Sequence, residues 1–160
     1  MNANKKSFTL TEVLIFVAIL SLFFVAAAAA TIASLRNLKI QEHKILATRY
    51  AQELLEWLRG EKEENWGGGH YSIGNPVDSF TEKVTQFGSD QALCFNNLNW
   101  NNDFPCDYNL NSLFKRTVTF SWNETPEGFI YQVNTSILVE WQELGNTYQV
   151  PINTVLTIWE

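Results

Sequence analysis

A long uncharged stretch near the N-terminus most constrains what this chain can fold into. Residues 13–35 contain no Asp, Glu, Lys or Arg, and a single carboxylate, Glu12, lies at the front of that stretch. About 20 apolar residues in a helix, at about 1.5 Å each, are enough to cross the hydrocarbon core of a bilayer. The residues before it, 1–7, are polar and include Lys5 and Lys6. The sequence therefore predicts a membrane-spanning helix behind a short basic leader.

The order of the parts separates this N-terminus from a secretory signal, in which the cleavage site follows the apolar segment. Here the change from polar to apolar residues, between Ser7 and Phe8, precedes the apolar segment. Residues 5–15 (KKSFTLTEVLI) resemble the processing motif of type IV pilins and pseudopilins. The resemblance implies that prepilin peptidase cuts between Ser7 and Phe8, that Phe8 is then N-methylated, and that Glu12 is the glutamate of the family. Two positions differ from the usual motif, since Ser7 replaces a Gly and Thr11 replaces an aliphatic residue.

Two other interpretations of the N-terminus stay open. The alanines at 26–30 offer an A-x-A site for ordinary signal peptidase, with residues 8–25 as an h-region longer than the usual 7–15 residues. The second is a plain signal anchor, in which Glu12 is a tolerated charge. We favour the pilin-type interpretation, because an ionisable residue within a spanning segment is costly and usually marks function.

The helix is predicted to continue beyond the membrane. Residues 34–65 contain no Pro and a single Gly. Their small and apolar residues recur at helical spacing on one face: Ala47, Ala51, Leu54 and Leu58. Three glycines at 67–69 end the segment. We therefore predict a transmembrane or filament-core helix over 8–35 and an amphipathic extension over 36–66.

The C-terminal part is predicted to be a β-rich globular head over residues 67–160. Bulky and polar residues alternate over 116–122, 131–141 and 148–158, with turns between these runs. Pro151 cannot donate a ladder hydrogen bond, so the last strand is expected at an edge or at a bulge.

The segment 70–113 is rich in Gly, Asn, Asp and Ser and is predicted to be mostly loop, with short strands around Tyr71 and Leu93. The predicted fold class is α+β, in which the long N-terminal helix packs on a small antiparallel sheet. Residues 51–59 (AQELLEWLR) and the closing strands resemble minor pilins of the PilV class, the type IV pilus modification group, and the related type II secretion pseudopilins.

The chain has two cysteines, Cys94 and Cys106, which bracket an Asn-rich loop. Two thiols without a C-x-x-C motif or a nearby His do not make a metal site. In an exported domain a structural disulfide is expected, and two unpaired buried thiols are the alternative. Disulfides that hold a variable loop of the head are common in the resembled family.

Composition and titratable residues argue against several other functions. The formal charge of −6 would become −8 once Lys5 and Lys6 left with the leader, which argues against a nucleic-acid partner. We expect His43 and His70 to be solvated. The same is expected of the acidic helix end, Glu61, Glu63 and Glu64. No catalytic residue, metal or cofactor is predicted.

The resemblance implies a structural role, as a minor pilin or pseudopilin in a type IV pilus or a pilus-like secretion filament. The implied partners are prepilin peptidase, major and other minor pilins, the inner-membrane assembly platform and membrane lipid. The implied location is a single pass through the cytoplasmic membrane with the head outside, and then a surface or periplasmic filament. In that filament Glu12 would meet the Phe8 amine of a neighbouring subunit, because each charge is costly alone in an apolar core.

The alternatives are a binding pilin at the filament tip, which captures a ligand through the aromatic loop 95–105, and a signal-anchored exported protein outside any filament.

Overall fold

The computed structural model describes residues 9–67, 79–100 and 105–159. The chain divides into two compact units, Met1–Gln41 and Glu42–Glu160. Its first element, helix α1 (Leu10–Glu64), begins in the first unit and ends in the second. The predicted long helix is confirmed, and so is the α+β class.

Four antiparallel strands form the sheet of the second unit, in the order β1-β2-β3-β4. They are β1 (Leu93–Cys94), β2 (Phe114–Glu124), β3 (Ile130–Glu143) and β4 (Asn146–Thr157). The three predicted long strands are confirmed, as is the short strand at Leu93.

Alternation along these strands separates a buried face from a polar one, because successive side chains of a strand point to opposite sides. On β2 the buried face carries Phe114, Val118 and Phe120, and on β3 it carries Ile137 and Trp141. The predicted edge position of Pro151 is confirmed, since β4 is the last strand of the sheet. An edge strand tolerates a residue that has no N–H.

The apolar face predicted for residues 47–58 covers this sheet. Ala47, Ala51, Leu54 and Leu58 are fully buried and belong to the same core cluster as the inner side chains of β2 and β3. The two alanines have no bulk beyond Cβ, so the helix backbone can approach the sheet closely at that end of the stripe. Helix and sheet thus bury each other's apolar surface, which neither covers alone.

A second helix, α2 (Phe80–Gln86), lies in the segment predicted to be mostly loop, so that prediction is wrong here. The helix begins with a capping box: the Ser79 hydroxyl accepts from the Glu82 N–H at 3.2 Å, and the Glu82 carboxylate accepts from the Ser79 N–H at 2.8 Å. Phe80 and Val84, one turn apart, are buried in the core. The short strand predicted around Tyr71 lies outside the described residues.

Candidate assembly site

The predicted processing residues, Ser7 and Phe8, lie outside the described residues. The described chain begins at the N-terminus of α1, where the N–H groups of Glu12 and Val13 both donate to the Thr9 carbonyl oxygen, at 3.1 and 3.3 Å. Glu12 therefore lies in the first turn of the helix, and its side chain is exposed. A carboxylate in that turn interacts favourably with the positive end of the helix dipole.

The first unit presents an apolar surface that nothing else in that unit covers. Its large side chains are mostly more than half exposed; Leu22, for example, is 71% exposed and Phe23 is 66% exposed. α1 contains an apolar window long enough to cross a bilayer, and none of that window is buried. Soluble monomers rarely leave so large an apolar surface in water, so lipid or other protein chains must cover it.

The few hydroxyl groups within this apolar surface are satisfied inside the helix itself. Ser21, Thr31 and Ser34 each donate to a backbone carbonyl oxygen three or four residues earlier, at 2.8 to 2.9 Å. Hydroxyls bonded in this way do not need water. The segment is therefore suited to the lipid core or to the interior of an assembly, where an unbonded polar group is costly.

In the second unit, Cys94 and Cys106 form a disulfide with their Cα atoms 5.2 Å apart. The loop that it closes is anchored by Trp100, whose indole N–H donates to the Glu61 carboxylate at 2.6 Å. The Trp100 ring lies among five other aromatic rings, with centroids 5.5 to 6.4 Å away: Trp57, Phe80, Phe87, Phe95 and Phe120. The most prominent aromatic residue of the loop is thus part of the head's interior packing.

Arg116 joins this loop to α1. Its guanidinium is 1% exposed, and it donates to the carbonyl oxygens of Phe95 at 2.6 Å and Tyr50 at 2.7 Å. It also donates to the Glu53 carboxylate at 2.9 Å and, more weakly, to the Asn96 carbonyl at 3.4 Å. One buried cation therefore links strand, helix and loop, an arrangement that suits the planar fork of Arg.

Two pKa values in the head are displaced in opposite directions. Burial lowers the pKa of Arg116, and the hydrogen bond that its guanidinium donates to the Glu53 carboxylate opposes that effect. The hydrogen bond to Glu140 raises the pKa of Lys115, with a 2.6 Å contact between the two side chains on adjacent strands. Arg116 is a cation, because an arginine guanidinium is not deprotonated in proteins.

Two expectations about solvated residues are wrong. His43 is only 14% exposed; its Nδ1 lies 3.0 Å from the Glu143 carboxylate, and its ring packs edge-on against Phe114. Glu61 lies 2.8 Å from Lys83 and also accepts from the Trp100 indole. Both side chains lie where α1 contacts the sheet or the loop, which charge patterning along one helix does not reveal.

Of the other acidic residues at that helix end, Glu63 and Glu64 are exposed as expected. His70 lies outside the described residues.

Among the side chains of the described ranges, no three His, Cys, Asp or Glu lie close enough together to hold a metal ion. The sequence analysis included Arg116 in the alternating run 116–122 but did not identify its partners. The usable signal was the charge itself, since an Arg on a buried face requires carboxylate or carbonyl acceptors.

In comparison with known protein families, residues 2–28 match the family model of the prokaryotic N-terminal methylation motif. No curated protein and no solved structure matches the chain significantly. The matched range contains residues 2–7 of the leader, the Ser7-Phe8 junction, Glu12 and residues 13–28 of the apolar segment. The chain therefore carries a type IV pilin-like N-terminal signal, which supports a place in the pilin and pseudopilin family.

Proposed function

We propose that this protein is a minor pilin or pseudopilin, a structural subunit of a type IV pilus or of a pilus-like secretion filament. The observation that carries the proposal is the methylation motif, which runs into a helical segment whose apolar side chains are exposed. A helix of this kind needs one apolar environment before assembly and another afterwards. Membrane lipid supplies the first, and neighbouring helices in a filament core supply the second.

Processing is proposed at the Ser7-Phe8 peptide bond. Prepilin peptidase removes the leader with Lys5 and Lys6, and Phe8 becomes the methylated N-terminus. The match to the methylation motif supports this step. Small size is the property that Ser7 shares with the usual Gly at this position, so we expect the bond to be cut.

Glu12 is proposed to pair with the Phe8 amine of the neighbouring subunit. An isolated carboxylate inside lipid or a filament core is costly, and so is an isolated amine. Pairing across subunits removes both costs at once and fixes the axial register between the two chains. The exposure of Glu12 within its own subunit supports this role, because its carboxylate is accessible to a partner.

The remaining partners follow from the same proposal: major and other minor pilins, the inner-membrane assembly platform and membrane lipid. The head lies outside the cytoplasm, an assignment supported by the disulfide between Cys94 and Cys106, which is a bond of oxidising compartments. Within the family, the resemblance of residues 51–59 and of the closing strands favours the PilV class of minor pilins.

Capture of a ligand through the aromatic loop is less well supported. The indole of Trp100 is engaged by Glu61 and by neighbouring rings, and exposing it would break those contacts. A signal-anchored protein outside any filament stays the alternative that the experiments must separate from a filament subunit.

The first experiment locates the N-terminus. Mass spectrometry of the protein extracted from membranes should find a methylated Phe8. An intact Met1 terminus in cells with active prepilin peptidase would contradict the proposal, and a terminus near Thr31 would favour ordinary signal peptidase. Ser7→Gly should be processed at least as fast as the natural chain.

The second experiment compares Glu12→Ala with Glu42→Ala, a matched change at another exposed position of α1. Removing the charge of Glu12 favours insertion in lipid, so a plain anchor should tolerate the change fully. A filament subunit should be inserted and cleaved normally but recovered with the major pilin far less often, whereas Glu42→Ala should assemble normally. Undiminished recovery of Glu12→Ala would contradict the pairing, and failure of the natural chain to associate with any pilin would contradict the whole proposal.

A further inference from the structure

The outer face of the sheet, turned away from α1, is uncharged over most of its area. Eleven outward positions on three strands carry no Asp, Glu, Lys or Arg: Thr117, Thr119 and Ser121 on β2, Gln132, Asn134, Ser136 and Leu138 on β3, and Pro151, Asn153, Val155 and Thr157 on β4. A solvated sheet face usually carries charged residues, particularly Lys near an edge. The charged residues Lys115 and Glu140 lie on the same face near its end at Phe114, where they pair with each other at 2.6 Å.

Strand register arranges hydroxyl and amide groups of this face in rows. Thr119 lies opposite Ser136, and Ser136 lies opposite Asn153. One step along the strands, Ser121 lies opposite Asn134. With strands about 4.8 Å apart and same-face residues about 7 Å apart, these groups cover an area of about 10 by 7 Å. That area matches the footprint of one or two sugar rings.

A shallow groove of about 340 Å³ lies over these rows. Asp90 lines its rim; the Asp90 N–H donates to the Phe120 carbonyl oxygen at 2.8 Å, and the Asp90 carboxylate accepts from the Ser89 hydroxyl at 2.8 Å. Val155, which is 45% exposed, adds an apolar patch to the lining. The lining thus combines hydroxyl and amide groups, one fixed carboxylate and one apolar surface.

We propose that this groove, which we call the outer-face groove, binds a neutral saccharide. Serine, threonine and asparagine side chains both donate and accept. The Thr119 hydroxyl lies 3.5 Å from the Ser136 carbonyl oxygen, so it is placed to accept from a sugar hydroxyl. Asn134, which accepts from the Gln132 amide at 2.8 Å, is placed to donate. The carboxylate of Asp90 accepts from hydroxyls and repels anionic ligands such as phosphates. Val155 offers a surface for the C–H face of a sugar ring. Water competes for each of these bonds in an open groove, so the affinity is in the millimolar range.

The test uses the full-length chain, labelled with ¹⁵N, in dodecylphosphocholine micelles, a detergent without a sugar head group. Amide signals are followed while maltose, cellobiose, lactose or N,N′-diacetylchitobiose is added, and sialyllactose serves as the anionic comparison. At least one neutral disaccharide should produce saturable shifts at Thr119, Ser136 and Asn153. Thr119→Val should weaken that binding about tenfold, the factor for one lost hydrogen bond.

Thr147→Val is the matched control, the same change on the outward side of β4 but outside the groove lining. It should leave the affinity unchanged. The proposal is overturned if no neutral disaccharide gives saturable shifts, if only sialyllactose binds, or if the shifts map to the disulfide loop. If the chemical shifts of the groove amides change with protein concentration when no sugar is present, the face binds a second copy of this chain. That result also overturns the proposal.

Discussion

Replacing Arg116 tests the claim that one buried cation holds the loop and the helix to the sheet. In Arg116→Met the side chain keeps much of its length but loses three hydrogen bonds of 2.6 to 2.9 Å and one of 3.4 Å. The Phe95 carbonyl loses the shortest of these bonds, and an unsatisfied buried acceptor costs about 1–3 kcal/mol. The Tyr50 carbonyl lies within α1, and the Glu53 carboxylate is 51% exposed and can bond to water. The loss of the Arg116 hydrogen bond therefore costs less free energy at these two acceptors than at the Phe95 carbonyl. We expect a total loss of about 3 kcal/mol of unfolding free energy.

Three further variants separate the carbonyl hydrogen bonds of Arg116 from its ion pair with Glu53. Arg116→Lys should cost at least as much as Arg116→Met, because a single ammonium cannot reach acceptors on helix, loop and carboxylate together and remains a buried charge. Glu53→Gln should cost at most about 1 kcal/mol, since that carboxylate is half exposed. Lys115→Met is the control, because it also replaces a long cationic side chain by Met, at the adjacent outward position, with an expected cost of about 1 kcal/mol.

The assay is thermal unfolding of the full chain in detergent, followed by near-ultraviolet circular dichroism of its tryptophans. For a head of this size, a loss of about 3 kcal/mol lowers the Tm by about 10 °C. The reasoning is refuted if Arg116→Met unfolds within about 2 °C of the natural protein, or if Glu53→Gln costs as much as Arg116→Met. The second result would make the ion pair, rather than the carbonyl network, the dominant interaction.

Three further predictions concern the disulfide, Trp100 and Lys115, and the changes in stability are measured by the same thermal unfolding. Cys106→Ser should lower the stability of the head by about 3 kcal/mol while membrane insertion is unchanged, and thiol alkylation without reductant should label neither cysteine of the natural protein. Trp100→Ala should cost about 3 kcal/mol, whereas Leu98→Ala, 36% exposed on the same loop, should cost under about 1 kcal/mol. Because the pKa of Lys115 is raised in the folded head, its ion pair with Glu140 contributes fully to the unfolding free energy below about pH 10, and that contribution is lost as the pH rises through the folded pKa. The natural protein should therefore be more stable than Lys115→Met at neutral pH, and the difference should disappear only in alkali.

Sequence reasoning succeeded where the surroundings of a segment dictate its composition. The apolar first half of α1, the stripe from Ala47 to Leu58 and the alternating strands each satisfy a local rule, because a helix or strand face must match what covers it. The same reasoning placed Pro151 at an edge from its missing N–H. In each case the necessary information lies within about 20 consecutive residues.

Helix α2 was missed although its signal was local. Ser79 followed by Glu82 three residues later is the capping-box pattern, and Phe80 with Val84 is an apolar pair one turn apart. The composition of the surrounding segment, rich in Gly and Asn, outweighed that pattern in the prediction. A helix of seven residues also gives too short a periodic signal to stand out.

Long-range contacts account for the other errors. Arg116 bonds to Tyr50, 66 residues away in the sequence, and His43 contacts Glu143 across 100 residues. A single sequence carries no direct record of such pairings. One residue of each pair can nevertheless be recognised in the sequence, since a polar side chain on a face that must be buried requires a partner.

Three aromatic side chains of α1, evenly spaced in the sequence, fix the position of the helix along the sheet. His43, Tyr50 and Trp57 recur every seven residues, just short of two helical turns, so their side chains lie nearly in line beside the small and apolar stripe. Each contacts an aromatic ring of the sheet or the loop, at centroid distances of 6.0, 5.3 and 5.9 Å, from Phe114 in the first two cases and Phe95 in the third. The stripe alone would allow the helix to slide along the sheet, because apolar packing is not directional. Three rings with defined partners fix its register, and the hydrogen bonds from Arg116 to the turn that contains Tyr50 hold that register in place.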